Sequence, residues 1–133
     1  MPKKIIETDL SHISKNDPER DQRIRDCYLV DTYNDPYDKA MGWYYSLDDV
    51  LHKPVRCRCF KERSISPLKI GEKVSIVGMA PEDECLREMF VIVKWNGRQL
   101  AVPLGQLEPI SGNEEVVELI EDWLYWCLMG YEF

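Results

Sequence analysis

The sequence of 133 residues contains no apolar run near the ~20 residues that a transmembrane helix needs. Its N-terminus, where Ile5 and Ile6 stand alone between charged residues, lacks the apolar stretch of a signal peptide. Five cysteines form an odd set without the spacing of a disulfide framework, which indicates a reducing compartment. These absences predict a cytoplasmic protein that does not enter a membrane.

Signals of catalysis are also missing. The two histidines, His12 and His52, are too isolated to suggest a catalytic base, and no Gly-rich phosphate loop or nucleophile elbow occurs. Cys57 and Cys59 have no second Cys/His pair nearby to complete a zinc site, and strand periodicity turns both thiols inward as core residues. We therefore expect a protein that is not an enzyme.

Lysine and arginine are absent from residues 108–133, which hold seven acidic residues. The net charge of the whole chain is −7, so the acidic excess is concentrated at this end. Residues 56–73 have the opposite balance, with six basic and two acidic residues. An acidic chain repels phosphate backbones and attracts cations, so we expect no nucleic-acid binding. An acidic surface that only keeps the protein soluble is the simpler alternative.

What the sequence does contain is a clear hairpin signal at Asn96-Gly97. The dipeptide stands between two β-branched runs and tolerates the positive φ angles of a two-residue type I′ turn. This turn sets the register of the two strands, and the facing pairs are Trp95–Arg98, Val93–Leu100 and Val91–Val102.

The fold class predicted from these patterns is α+β. We expect a small SH3-like bent β-barrel or sheet with two amphipathic helices packed on it, at about 36–51 and 114–129. The expected strands lie near 27–33, 55–60, 73–79, 88–95 and 98–103. A flexible arm at 1–16 would precede one globular domain at 17–133, whose SH3-like core spans about 55–110.

Three helix starts are visible. Asp17-Pro18 and Asp35-Pro36 each place an N-cap carboxylate before a proline at the first helical position. Asn113 caps the last helix. Its predicted buried stripe is Val116, Ile120, Trp123, Leu124 and Cys127, and its predicted outer face is Glu114, Glu118, Glu121 and Asp122.

Carboxylates are the only concentrated chemistry of the chain. They form three groups: Asp31, Asp35 and Asp38; Glu82, Asp83, Glu84 and Glu88; and the C-terminal segment with Glu132. Ca²⁺ takes six to eight such oxygens, some from backbone and water. The first group is not an EF-hand loop, because Pro36 stands where that loop needs glycine. Helix-start electrostatics and a solvated turn are the alternatives for the first two groups.

Several strings of the sequence resemble the cyanobacterial calcium-binding protein family, CcbP. They are AMGWYY at 40–45, ISPLKIGE at 65–72, VGMAPEDEC at 77–85, LAVPLxQLEPI at 100–110, EDWxYW at 121–126 and GYEF at 130–133. The resemblance covers about residues 24–133. It implies a small acidic cytoplasmic protein that binds Ca²⁺ without EF-hands, buffers the free ion and is linked to heterocyst differentiation.

Carried over by position, the resemblance makes Asp38 the first candidate Ca²⁺ ligand. The candidate metal ligands are Asp38, Asp35, Glu132, Glu82 and Asp83. Lys39 follows Asp38 directly, where the resemblance leads us to expect an acidic or neutral residue. The alternative function is an acidic SH3-like adaptor whose groove or acidic helix face binds a basic protein partner, which the sequence does not identify.

Overall fold

A computed structural model describes residues 13, 16–30, 32, 35–131 and 133, and these residues form an α+β fold, as predicted. The strands are β1 Val55–Cys59, β2 Lys73–Met79, β3 Phe90–Trp95, β4 Arg98–Pro103 and β5 Leu107–Pro109. The helices are α1 Pro18–Arg23, α2 Pro36–Val50 and α3 Glu114–Leu128, and a π-helical turn at Ile24–Tyr28 extends α1. Short 3₁₀ turns occur at Glu82–Glu84 and Leu104–Gln106.

The hairpin β3–β4 has the predicted turn and register. Asn96 and Gly97 have φ angles of 50° and 75°, which are the left-handed values that the type I′ turn requires. The facing pairs are Trp95–Arg98, Val93–Leu100 and Val91–Val102. Local turn chemistry therefore determines the geometry of this half of the sheet.

The five strands form an open antiparallel sheet in the order β4-β3-β2-β1-β5, so the closed barrel that we allowed for is not formed. The 3₁₀ turn Leu104–Gln106 carries the chain away from β4, and β5 then pairs with the far side of β1, where Leu107 faces Cys59. Because β5 has only three residues, it ends before it could reach back to β4.

The strand expected near 27–33 is wrong where the structure describes it. Cys27 and Tyr28 belong to the π-helical turn, and residues 31 and 33 lie outside the described residues. The physical reason is the four-residue spacing of Ile24 and Tyr28, which places both side chains on one side of a helix. Ile24 is buried, and the Tyr28 ring lies 5.1 Å from the ring of Trp43.

Two helices cover the inner face of the sheet and meet through tryptophans. Trp43 of α2 and Trp123 of α3 are 0% and 1% exposed, and their rings meet edge to face at 5.0 Å. Trp126 packs on Trp43 at 5.6 Å. Cys57 and Cys59 point into this core from β1, as predicted. No helix among the described residues is long and apolar enough to cross a membrane.

Candidate metal centre

The first group of predicted ligands lies at the start of α2. Asp35 is the N-cap residue, and its Oδ1 accepts a hydrogen bond from the backbone N–H of Asp38 at 3.1 Å. Pro36 occupies the first helical position, where a missing N–H costs nothing. Both aspartates are exposed. The Asp38 carboxylate has no hydrogen bond or ion pair with another described residue, and the residue is exposed.

The second group, Glu82 and Asp83, lies in an exposed 3₁₀ turn that is held against the same helix. The Tyr45 hydroxyl of α2 donates to Glu82 Oε2 at 2.8 Å, and this hydrogen bond raises the pKa of Tyr45. The neighbouring Tyr44 donates to the carbonyl oxygen of Ala80 at 2.9 Å. One helix thus carries Asp38 at its start and holds Glu82 further along.

Glu132 and Asp31 lie outside the described residues, whereas Tyr131 lies close to the start of α2. Tyr131, which packs on Trp126 at 5.1 Å, lines the same cavity as Lys39. The cavity measures about 280 Å³, and Asp21 of α1 also lines it. The residue before Glu132 and the residue after Asp38 therefore share one surface depression.

Asp21 was not among the predicted ligands. Its Oδ1 accepts a hydrogen bond from the Tyr125 hydroxyl at 3.0 Å, which fixes the carboxylate beside this cavity. The sequence offers no signal for it, because Tyr125 lies 104 positions along the chain.

The donor chemistry of these groups fits Ca²⁺. Asp35, Asp38, Glu82 and Asp83 supply exposed carboxylate oxygens, the hard ligands that this ion prefers. Among the described residues, no three acidic, histidine or cysteine side chains gather closely enough to hold one ion by themselves. The remaining oxygens of a six- to eight-coordinate site therefore have to come from backbone carbonyls, water or further side chains.

The most concentrated charge in the molecule lies elsewhere, at Asp122. The sequence placed this residue on the outer face of α3, and that prediction is wrong, because Asp122 is 0% exposed. Its oxygens accept hydrogen bonds from Arg20 at 2.7 Å, from Arg23 twice at 2.8 Å and from the Tyr28 hydroxyl at 2.7 Å. We call Asp122, Arg20, Arg23 and Tyr28 the Asp122 clamp.

The clamp alters the pKa values of Arg23 and Tyr28. The hydrogen bond to Asp122 raises the pKa of Arg23 above its usual value. Burial raises the pKa of Tyr28, and its hydrogen bond to Asp122 adds to the effect. The buried carboxylate is thus charge-paired and fully hydrogen-bonded, which is the condition under which a buried charge is tolerated.

Comparison with known proteins gives two kinds of match. The family model of the CcbP proteins, described as calcium binding, matches residues 22–127. The crystal structure of Anabaena CcbP has a TM-score of 0.77 and 37% sequence identity, and the alignment covers 90% of this chain and 98% of that chain. A structure described as a calcium binding protein in the calcium-binding form has a TM-score of 0.76 and 37% sequence identity. The alignment covers 89% of this chain and 96% of that chain. Curated protein sequences give no match.

Proposed function

Because this chain belongs to the CcbP family of calcium-binding proteins, we propose that it acts as a buffer of free Ca²⁺. The observation that carries the proposal is its likeness to a relative in a calcium-binding form, at 37% identity over 89% of the chain. The exposed carboxylates around α2 supply the chemistry that such a role needs. The five cysteines, all in the described residues, are unpaired, which supports a cytoplasmic location. The link to heterocyst differentiation stays a prediction.

We place the main site at Asp38. Its carboxylate is exposed and has no described partner, so binding an ion breaks no existing contact. The positive end of the α2 dipole stabilises the ionised carboxylate. Glu132 is the proposed distant ligand, because Tyr131 and Lys39 line one cavity. The ammonium group of Lys39 competes with a cation there, and this predicts a weaker site than an acidic or neutral residue would allow.

Asp35 and the acidic residues of the turn 82–84 are proposed as weaker Ca²⁺ ligands than Asp38. Asp35 already uses Oδ1 as a helix cap, so only its second oxygen remains for an ion. Glu82 accepts from Tyr45 through one oxygen, and Asp83 lies beside it on the exposed turn. We propose that these two acids hold Ca²⁺ more weakly and apart from the Asp38 site.

Buffering is favoured over sensing by the packing of the helices. A Ca²⁺ sensor that works by opening a helix pair needs two arrangements of those helices, which the ion shifts to expose a binding groove. Here α2 and α3 are joined by Trp43, Trp123 and Trp126, which interlock edge to face in a continuous core. Tight aromatic packing of this kind resists the opening of a helix pair.

The alternative function, an acidic adaptor, is supported by the exposed side chains of Glu114, Glu115 and Glu118 on α3. Such a face would attract a basic protein and would fix its orientation. An adaptor would capture its partner equally well with and without EGTA, whereas a buffer has no need of a partner.

The proposal is tested by calorimetric titration of the purified chain with Ca²⁺ and Mg²⁺ at ~0.15 M salt, where charge attraction is screened beyond about 8 Å. We expect saturable Ca²⁺ binding that exceeds Mg²⁺ binding, because Mg²⁺ demands stricter geometry. Substitution Asp38→Asn should lower the affinity about 10-fold or more, since ligand charge sets Ca²⁺ affinity.

The matched control is Glu62→Gln. Glu62 is exposed in the loop after β1 and has no hydrogen bond or ion pair with another described residue. Both variants lose one negative charge, so diffuse attraction falls equally in each. Equal weakening by the two substitutions would contradict the site at Asp38 and leave only a nonspecific acidic surface.

A further inference from the structure

The Asp122 clamp joins α3 to a single stretch of chain. All four hydrogen bonds to the Asp122 carboxylate come from α1 and the π-helical turn that follows it. The Arg23 guanidinium binds both oxygens of the carboxylate through Nε and Nη2. The Asp122 carboxylate is wholly buried, and a buried charge is stable only when it is paired and hydrogen-bonded. The loss of one of these donors therefore weakens the whole contact.

Helix α1 is held to α3 by polar contacts, and the chain first enters the core at its C-cap residue, Ile24. None of its residues, Pro18–Arg23, is buried. Besides the clamp, Tyr125 of α3 donates to Asp21 and accepts from the backbone N–H of Asp17 at 3.1 Å. The sheet, α2 and the tryptophan cluster can therefore keep their packing when α1 leaves α3.

Tyr28 connects the clamp to α2. Its hydroxyl lies on Asp122, while its ring lies on Trp43 at 5.1 Å. Its backbone carbonyl oxygen lies against Gly42 so closely that a Cβ there would clash with it. The Leu29 side chain would meet the same Cβ at 3.3 Å. The π-helical turn is thus seated on α2 through a contact that only glycine allows.

From Leu29 a relay of hydrogen bonds runs to the candidate ligand. The hydroxyl of Thr32 donates to the Leu29 carbonyl at 2.9 Å, and the Thr32 N–H donates to it at 3.3 Å. The Thr32 carbonyl accepts from the N–H of Asp35 at 2.9 Å, and Asp35 in turn caps Asp38. Thr32, at the middle of this relay, is 8% exposed.

We infer that the Asp122 clamp sets the Ca²⁺ affinity of the Asp38 site by fixing the start of α2, through the contacts of Tyr28, Thr32 and Asp35 described above. Asp122, Tyr28 and Thr32 are positioning residues, and none of them contacts the ion. The inference rests on the proposed function, because it takes Asp38 as the ligand. If the site binds Ca²⁺ only when α1 is docked on α3, its apparent affinity equals the intrinsic affinity multiplied by the docked fraction.

The first test measures Ca²⁺ affinity by calorimetry in Asp122→Asn, Tyr28→Phe and Thr32→Val. We expect Asp122→Asn to weaken binding about 10-fold, the loss that follows when the docked state falls to about one tenth. Tyr28→Phe and Thr32→Val each remove one hydroxyl and keep the shape, so they should weaken binding by smaller factors.

The matched control for Asp122→Asn is Glu88→Gln. Both oxygens of Glu88 accept from Arg63, at 3.0 and 2.7 Å, and Glu88 has no hydrogen bond or ion pair with a described residue of α1. This variant also loses one negative charge and one bidentate arginine pair, so its effect on diffuse attraction is comparable. We expect Glu88→Gln to bind Ca²⁺ with unchanged affinity.

The second test uses reciprocity. If the clamp strengthens Ca²⁺ binding, Ca²⁺ must strengthen the clamp by the same factor. We therefore expect Ca²⁺ to slow amide hydrogen exchange in residues 18–28 of the wild type. A protein in which α1 has only a structural role would show no such protection.

The outcomes separate the two proposals. A wild type that does not bind Ca²⁺ contradicts the proposed function, and this inference with it. If the wild type binds Ca²⁺ and Tyr28→Phe binds it equally well, or if Ca²⁺ leaves exchange at 18–28 unchanged, only this inference is wrong. Tyr28→Phe decides the question should Asp122→Asn fail to fold, because it keeps the ring on Trp43.

Discussion

At the scale of single residues, the turn between β3 and β4 depends on a backbone conformation that most side chains resist. Gly97 has a φ angle of 75°, and nothing lies within 4 Å of the place where a Cβ would stand. The requirement for glycine is therefore conformational and not steric.

Gly97→Val should lower the free energy of unfolding by about 1–3 kcal/mol, because a β-branched residue is strained at positive φ. Urea denaturation measures the change. Gly78→Val in β2 is the control, since Gly78 has equally open space and no positive φ angle. Coincident urea midpoints for wild type and Gly97→Val would show that the turn assignment is wrong.

The position of a residue could be predicted when the residues it contacts are close in sequence, and not when they are distant. Gly97 was predicted because its role depends on its immediate neighbours. Asp122 was misplaced because its partners, Arg20, Arg23 and Tyr28, lie 94–102 positions away along the chain. A charged residue beside a buried stripe is placed in solvent by any periodicity argument, and only tertiary contacts can overturn that placement.

At the scale of elements, α2 is where the structural and functional roles of one carboxylate can be separated. Asp35 caps the helix through its side chain, and it is also a candidate ligand. Asparagine caps a helix as well as aspartate does, whereas alanine does not.

Asp35→Ala should destabilise the protein by about 1 kcal/mol, and Asp35→Asn should be nearly neutral. If Asp35 contributes its second oxygen to the ion, both variants should weaken Ca²⁺ binding, because both lose the charge. Thermal unfolding in EGTA measures the first effect and calorimetry the second. Full Ca²⁺ affinity in Asp35→Asn would leave this residue with a capping role only.

Elements with local signals were predicted well and the others were not. The bounds of α2, β2 and β4 follow from caps, prolines and turns that stand beside them in sequence. The turn at Ile24–Tyr28 was taken for a strand because its residues are β-prone, while its contacts with Trp43 and Asp122 required a helical spacing. Strand β5 was missed, because three residues carry no recognisable period.

At the scale of the whole molecule, the buried thiols and Tyr28 of the Asp122 clamp make the folded state less stable at alkaline pH. Burial raises the pKa of Cys57 from 9.0 to about 12, and it raises the pKa of Tyr28 and of Cys85 as well. Above pH 9 the unfolded chain loses protons that the folded chain retains. The stabilisation that comes from keeping the Cys57 thiol protonated is therefore fully present below pH 9, and it is lost as the pH rises towards 12.

The Cys57 thiol should lower the free energy of unfolding by up to about 1.4 kcal/mol per pH unit within this window. Urea denaturation at pH 7, 9, 10 and 11 measures the slope. Cys57→Ala removes one titrating group, so its slope should be shallower although its stability is lower throughout. Parallel slopes for the two proteins would show that the Cys57 thiol does not contribute.

The open sheet bears on how concentrated the protein can become. An ion buffer works only at concentrations comparable to those of the ion, and crowded copies with bare strand edges tend to join into fibrils. Here one edge is the three-residue β5, and the other, β4, begins with Arg98 and ends with Pro103, which has no N–H to offer a neighbouring chain. The net charge of −7 adds repulsion between copies. The short edge strand β5, which leaves the sheet open, thus also offers little backbone for another copy to pair with.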